Sequence, residues 1–320
     1  MQVARIFIGV DVSEKELVVA AYDTASVVPN AIKNARTQIK TWLKRLAPDS
    51  VIAMEATGGY ERLLAQLAYE RGFEVYVLNP RQIHHYAKSL GNRGKTDRQD
   101  AQVIARYVAM EHSRLHRYEP ASPELVKLRQ LQGQRAAIVR ARTMLVQSLA
   151  RRSAIKSSYA TKAFAALDKW IRDLDNQLLA GIKNDAEVSE QYDLLTSITG
   201  IGLQTGAALS VLFTRMKFAN SDAVVAYSGL DPRPKESGRR IGIRKLSKQG
   251  DKRLRMLLHM AAKSACQTTA FHAYYESLLN RGLKGTEALV VLARKLLRIA
   301  YGVWRTQNPF DLTRLRLKPT

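Results

Sequence analysis

Acidic residues are scarce in this 320-residue chain: 28 Asp and Glu stand against 51 Lys and Arg, a formal net charge of +23. The deficit is uneven. Residues 1–100 hold 14 basic against 11 acidic side chains, whereas residues 101–320 hold 37 against 17. A segregated excess of that size calls for a polyanion, and nucleic acid is the one that suits it. Cysteine is nearly absent. With Cys266 alone, an internal disulfide framework and a cysteine-based zinc site are both excluded. The six histidines show no ligand spacing. No apolar run is long enough to span a bilayer, and the opening MQVARIFIGVDVS lacks the regions of a signal peptide. A cytoplasmic protein with no membrane partner is therefore expected. Low-complexity tracts, internal repeats and recognisable base-reading modules such as a zinc finger are lacking too.

What is present is enough material for more than one domain. Arg5–Val12 and Leu17–Tyr22 are short β-rich runs joined by a polar tight link, the pattern of a hairpin. A helical stretch over Thr37–Leu46, a strand at Val51–Met54, a helix over Tyr60–Arg71 and a strand at Glu74–Leu78 follow. Asn79-Pro80 then breaks the chain before another helix. From Asp97 a helix begins whose apolar stripe is Ala101, Ile104, Ala105 and Val108. This order predicts an α/β domain with a mixed sheet over residues 1–116. Past Arg117 the strand signals stop. Pro123 opens a long helical stretch in which Leu131, Ile138 and Leu145 recur every seven residues, and Lys162–Lys183 supplies a second helix. Residues 117–190 read as a helical hairpin or an inter-subunit coiled coil, and residues 191–320 as a mostly α, basic domain.

Four carboxylates stand out in the first domain. Asp11 ends the first strand and Glu55 ends the strand VIAM, where catalytic residues of α/β sheets gather. Asp97 and Asp100 are three apart at a helix start and share a face. Converging acids repel unless a cation neutralises them, and hard oxygen ligands suit Mg²⁺ or Mn²⁺. Two such ions, about 3.5–4 Å apart, stabilise an in-line phosphoryl displacement. The plain alternative is that Asp11 is a turn residue and Asp97 a helix cap.

The densest charge lies between residues 231 and 255, where ten basic residues meet three acids: Arg233, Lys235, Arg239, Arg240, Arg244, Lys245, Lys248, Lys252, Arg253 and Arg255 against Asp231, Glu236 and Asp251. Interspersed glycines and prolines predict a structured loop or hairpin. Ser228, Ser237 and Ser247 lie in or beside it. A serine attacking phosphorus needs its proton removed and the developing charge stabilised, and arginines can supply the second requirement; the residues alone do not choose among the three. Gly200-Ile201-Gly202 reads either as a helix-hairpin-helix turn that approaches a DNA phosphate or as a tight turn between packed helices. Arg93 and Lys95 make the loop before Asp97 basic. The tail Arg294–Trp304 reads as core first and nucleic-acid contact second.

Taken together, IGVDVSEKEL, VIAMEATGGYE, VLNPRQI and GKTDRQDAQVIARY resemble the RuvC-like, ribonuclease-H-type nuclease fold, and most closely the DEDD insertion-sequence transposases and their relatives the Piv-type DNA invertases. ITGIGLQTGAAL, AYSGLDPRPKESGRRIG and KLSKQGDKRLRMLLHMAA resemble the transposase domain of the same recombinases. The resemblance implies that Asp11, Glu55, Asp97 and Asp100 hold Mg²⁺ and that Ser237, in its E-S-G context, is the nucleophile of a covalent phosphoserine–DNA intermediate. It also implies donor and target DNA as substrates, a structured guide RNA, and a homo-oligomer (dimer or tetramer) with composite active sites. The rivals are a RuvC-like nuclease or resolvase without a covalent step and a non-catalytic nucleic-acid-binding protein. An actin-like sugar kinase is weakened because no second phosphate-binding glycine loop is found.

Overall fold

The computed structural model describes residues 5–22, 31–91, 96–150, 157–233, 236–237, 240–241 and 245–314. The chain divides into two compact units, Met1–Pro120 and Ala121–Thr320.

The first unit is built on a five-stranded mixed sheet. Strand β1 (Phe7–Val12) pairs antiparallel with β2 (Glu16–Ala21), which pairs with the short β3 (Ala31–Lys33). On its other side β1 runs parallel to β4 (Val51–Glu55), and β4 parallel to β5 (Glu74–Leu78), giving the order β3-β2-β1-β4-β5. Side chains alternate across a strand, so each strand feeds two cores. Ile8, Val10 and Val12 join Ile52 and Met54 beneath α1 (Arg36–Leu43) and α2 (Arg62–Glu70). Val51, Ala53, Tyr76 and Leu78 face the opposite way, against Ile83 of α3 (Pro80–Ser89) and Val103, Ile104 and Val108 of α4 (Asp97–Glu111). Asn79 caps α3 by accepting from Arg81 N–H at 2.9 Å, so the Asn-Pro break is also a helix start.

The predicted stripe of α4 is realised: Ala101, Ile104, Ala105 and Val108 are fully buried. The helix comes so close to the sheet because β1 carries glycine at its crossing. A methyl group at Gly9 would stand 2.1 Å from the Ala101 carbonyl oxygen and 2.3 Å from the Ala105 nitrogen.

In the second unit, α5 (Pro123–Ala150) and α6 (Ser158–Lys183) pack together, joined by Arg135–Asp175 and Arg142–Asp168 ion pairs at 2.5 Å and 2.6 Å. Leu128, Leu178 and Ile182 share a core with Val188 of α7 (Ala186–Thr196) and Ala207 of α8 (Leu203–Arg215). The seven-residue row on α5 changes character along its length: Leu131 is buried, Ile138 half-buried and Leu145 exposed. A second core gathers α8, α9 (Ser221–Ser228), α10 (Lys252–Ala265), α11 (Thr269–Asn280) and α12 (Gly285–Thr306). Leu292, Leu296, Leu297 and Ala300 line the buried face of α12, so the tail helix does its packing as expected. Among the described residues, no helix is long and apolar enough to cross a membrane.

Candidate active site and nucleic-acid interface

The parallel register of β1 and β4 places Asp11 beside Glu55. Val10 is opposite Met54, and the two acids are the next residues at the same end of adjacent strands. Alternation puts both on the face that α4 covers, since Gly9 and Ala53, two residues earlier, lie on that face. Both are half-buried. The first turn of α4, carrying Asp97 and Asp100, immediately precedes its contact with Gly9. Thr96 caps that helix, its hydroxyl accepting from Gln99 N–H at 3.3 Å, so capping does not account for Asp97. Asp97 is exposed and Asp100 half-buried. Asp11 and Glu55 thus share the face that α4 covers, and Asp97 and Asp100 stand in the first turn of that helix; among the described residues no three His, Cys, Asp or Glu side chains close into a metal-holding group. A donor set of carboxylates alone fits a hard divalent cation. Arg93 and Lys95 lie outside the described residues.

Two side chains that the sequence reading passed over organise this end of the sheet. Asn34 donates to the Ser13 carbonyl at 2.9 Å and to the Tyr60 carbonyl at 3.2 Å, tying the turn after Asp11 to the loop after Glu55. Glu61 is buried and accepts from Thr57 N–H at 3.0 Å and Gly59 N–H at 2.9 Å. Its carboxylate therefore fixes the turn in which Gly58 and Gly59 take φ values of 65° and 108°, a region that favours glycine. No periodicity could have revealed either residue, because both act on backbone groups distant from any apolar pattern.

In the second unit the basic segment forms an arm. Pro232–Arg233 (β6) pairs with Lys245–Leu246 (β9), and Glu236–Ser237 (β7) with Arg240–Ile241 (β8). Ser237 is opposite Arg240, with only two residues between them, so it is the last paired residue before the arm reverses. Lys235, Arg239 and Arg244 lie outside the described residues. The root of the arm is stitched by Ser247 N–H to the Asp231 carbonyl at 2.9 Å and Lys248 N–H to the Gly229 carbonyl at 3.1 Å. Lys248 itself adopts a positive φ of 52°. The Arg255 guanidinium donates to the carbonyls of Ser228 and Gly250 at 3.1 Å and 2.9 Å.

The other two serines have structural partners. Ser228 is fully buried and donates to the Val225 carbonyl at 2.7 Å. Ser247 donates to the Asp231 carboxylate and accepts from Gln249 N–H. The exposed cations Arg233 and Lys245 stand directly opposite each other across β6 and β9. Lys252 opens α10 in the open, while Arg253 is half-buried, its guanidinium reaching the Arg129 carbonyl at 3.5 Å. Burial holds Arg253 below the usual arginine range, and neighbouring Arg129 adds to the effect. At the Gly200–Gly202 turn the two glycines divide the alternatives. Gly200 has φ 94°, and a methyl there would meet the Ala265 side chain at 2.6 Å, so it packs against α10. Gly202 caps α8 with open space around it, leaving that N-terminus accessible.

A RuvC-like mixed sheet bearing the D, E, D-x-x-D acids, followed by a helical unit with a basic arm, defines an enzyme of DNA recombination. Family comparison agrees at both ends of the chain. Residues 8–152 match the IS110-type DEDD model described as "Transposase", and residues 192–276 match "Transposase IS116/IS110/IS902 family". The chain is 31% identical to the pilin gene-inverting protein of Moraxella lacunata over 96% of its own length and 98% of that protein's, and it matches the Moraxella bovis counterpart equally. A 44.8 kDa protein of insertion element IS116 from Streptomyces clavuligerus is 24% identical over 96% of each chain. The chain belongs to the IS110 family of transposases and DNA invertases.

Proposed function

We propose that this recombinase cuts and rejoins DNA with a serine nucleophile on the basic arm and a cation held by the four acids. The observation that carries this reading is the shared placement of Asp11, Glu55 and the α4 first turn on one face of the sheet. When bound, Mg²⁺ or Mn²⁺ supplies charge neutralisation at a transferring phosphoryl group. Asp11, Glu55, Asp97 and Asp100 would hold it. Ser237 attacks the phosphodiester: its Oγ–P bond forms, the P–O bond to the leaving deoxyribose breaks, and the departing oxygen becomes a free hydroxyl. A hydroxyl of the partner strand then displaces the serine, so the bond energy is conserved and no ATP is needed. Arg233, Arg240 and Lys245, with Lys235, Arg239, Arg244, Lys248, Lys252 and Arg253, supply phosphate contacts along the arm and its root. Gly202 offers a helix N-terminus to a further phosphate.

Two partners complete the reading. A structured guide RNA fits a cytoplasmic protein rich in phosphate-binding charge with no base-reading module in its sequence. A second copy of the chain fits the exposed Met144, Leu145, Val146 and Leu149 on the distal part of α5, where the heptad row leaves its own core.

The test is covalent trapping: the chain is expressed with its native flanking non-coding DNA in Mg²⁺-replete cells, which are then denatured and probed for DNA bound to protein. An adduct in the wild type that is absent from Ser237→Ala and Asp11→Ala is expected. Metal-dependent nicking that survives Ser237→Ala, without an adduct, would replace the recombinase chemistry by that of a nuclease.

A further inference from the structure

The ladder between β1 and β4 stops at Val10 and Met54, one residue short of both Asp11 and Glu55. Asn34 supplies a tie beyond that point. It stands just past β3, on neither strand that carries an acid, yet its backbone and side-chain N–H groups all act near their ends. The backbone N–H donates to the Lys15 carbonyl at 2.9 Å. The side-chain Nδ2 donates to the Ser13 carbonyl at 2.9 Å and to the Tyr60 carbonyl at 3.2 Å. Neither segment so held is loose by itself. The Ser13 N–H and hydroxyl both donate to the Glu16 carbonyl, each at 2.9 Å, which closes the turn that follows Asp11. Tyr60 N–H donates to the Thr57 carbonyl at 3.2 Å, and Glu61 holds the N–H groups of Thr57 and Gly59. One carboxamide thus joins two closed turns, one behind each acid.

The amide has one workable orientation. Reversed, it would set Oδ1 against two carbonyl oxygens, which offer no proton. As placed, Oδ1 is buried and accepts from no group among the described residues. A buried acceptor without a donor disfavours folding. The packing of its own polar atoms therefore does not account for this side chain, whereas the two carbonyls that it holds do.

We propose that Asn34 is a positioning residue that selects the cation: by limiting how far the turns behind Asp11 and Glu55 can part, it fits the acids to a small divalent ion. The inference rests on the reading of the four acids as a cation site and adds what makes that site selective. Mg²⁺ requires near-ideal octahedral geometry with ligands at about 2.0–2.1 Å, whereas Ca²⁺ accepts irregular shells at about 2.3–2.6 Å. Ligands held in fixed positions favour the first ion, and ligands free to part favour the second.

The test follows the melting temperature of the full chain as Mg²⁺ or Ca²⁺ is added alone. Each variant is compared with its own metal-free protein, which gives an apparent affinity for each ion. In Asn34→Ala, Mg²⁺ affinity should fall about tenfold, the scale of losing a group that orients metal ligands, while Ca²⁺ affinity stays within about twofold. A purely structural role would lower the metal-free melting temperature and leave the ratio of the two affinities as it was. Asn34→Gln keeps the donor on a longer stem and decides the matter if the alanine variant does not fold. It should lose Mg²⁺ affinity relative to Ca²⁺, and a wild-type ratio in it would overturn the proposal. So would an unchanged ratio in a folded Asn34→Ala. A wild type that responds to neither ion would overturn the cation reading of the acids and this inference with it, whereas a responsive wild type with unchanged ratios in the variants overturns the role of Asn34 alone. Metal binding does not require the covalent step, so the shift in ratio should persist in Ser237→Ala.

Discussion

The acids and the serine are presented in opposite ways. Asp11, Glu55, Asp97 and Asp100 ride on regular elements of the first unit, and a fully buried core lies within a residue or two of each strand position. Ser237 rides on an arm of two-residue strands whose order comes from backbone pairing and from the stitching at its root. Carboxylates that must share a cation need fixed mutual positions, because a small displacement of one ligand weakens the whole set. On the proposed reading, the groups that would gather charge sit on long regular elements, and the serine that would attack sits on a two-residue strand.

The sharpest way to break the contrast is at Gly9. In Gly9→Val the new side chain would meet backbone atoms of α4, which cannot move aside as a flexible side chain would. We expect a loss of about 3 kcal/mol or more in the stability of the first unit. Urea denaturation should show that unit unfolding early while much of the helical signal of the second unit persists. A single unshifted transition would mean that α4 is less tightly seated than its crossing indicates.

The arm answers to a smaller lever. Asp231→Ala removes the acceptor of the Ser247 hydroxyl, and Ser247→Ala removes the donor. Each should cost about 1 kcal/mol, and the double variant should cost little more than either alone because the two share one interaction. Strand exchange should fall in both, while nucleic-acid affinity holds or rises slightly in Asp231→Ala, where an acid leaves a basic segment. Thermal melts and equilibrium binding separate the two effects. Additive losses would show that the pair does not act as a clamp.

Much of the first unit was legible in the sequence because alternation marks strands and the 3.6-residue stripe marks helices. The run FIGVDV and the Ala101–Val108 stripe carry both signals at full strength. β3 escaped notice because Ala31–Lys33 is too short to alternate. Gly9 left a trace, a glycine inside an otherwise β-branched strand, which signals the close approach of another backbone. Asn34 and Glu61 left none: the bonds of Asn34 join segments that only the fold brings together, and Glu61 serves backbone N–H groups of its own turn, which carries no apolar pattern. The three serines illustrate the same limit. Burial accounts for Ser228 and an acid partner for Ser247, but neither property is written in the residues around them.

The finest test of the comparison lies where Arg233 faces Lys245. Directly opposed like charges destabilise a strand pair by a fraction of a kcal/mol, and a two-rung ladder has little to set against that cost. A free protein with no anionic partner would gain from losing one of the charges. Arg233→Gln should therefore raise the melting temperature of the second unit slightly and weaken nucleic-acid binding at the same time. On duplex DNA each lost phosphate contact should reduce the slope of log K against log salt by about 0.9. Lys245→Gln should do the same, and the double variant should lose about twice that slope. A variant that is stabilised yet keeps the wild-type slope would assign the pair to folding alone; one that loses slope without gaining stability would mean that solvent already screens the repulsion. Stability gained together with slope lost would mark the two cations as held apart from their optimum for the sake of a phosphate.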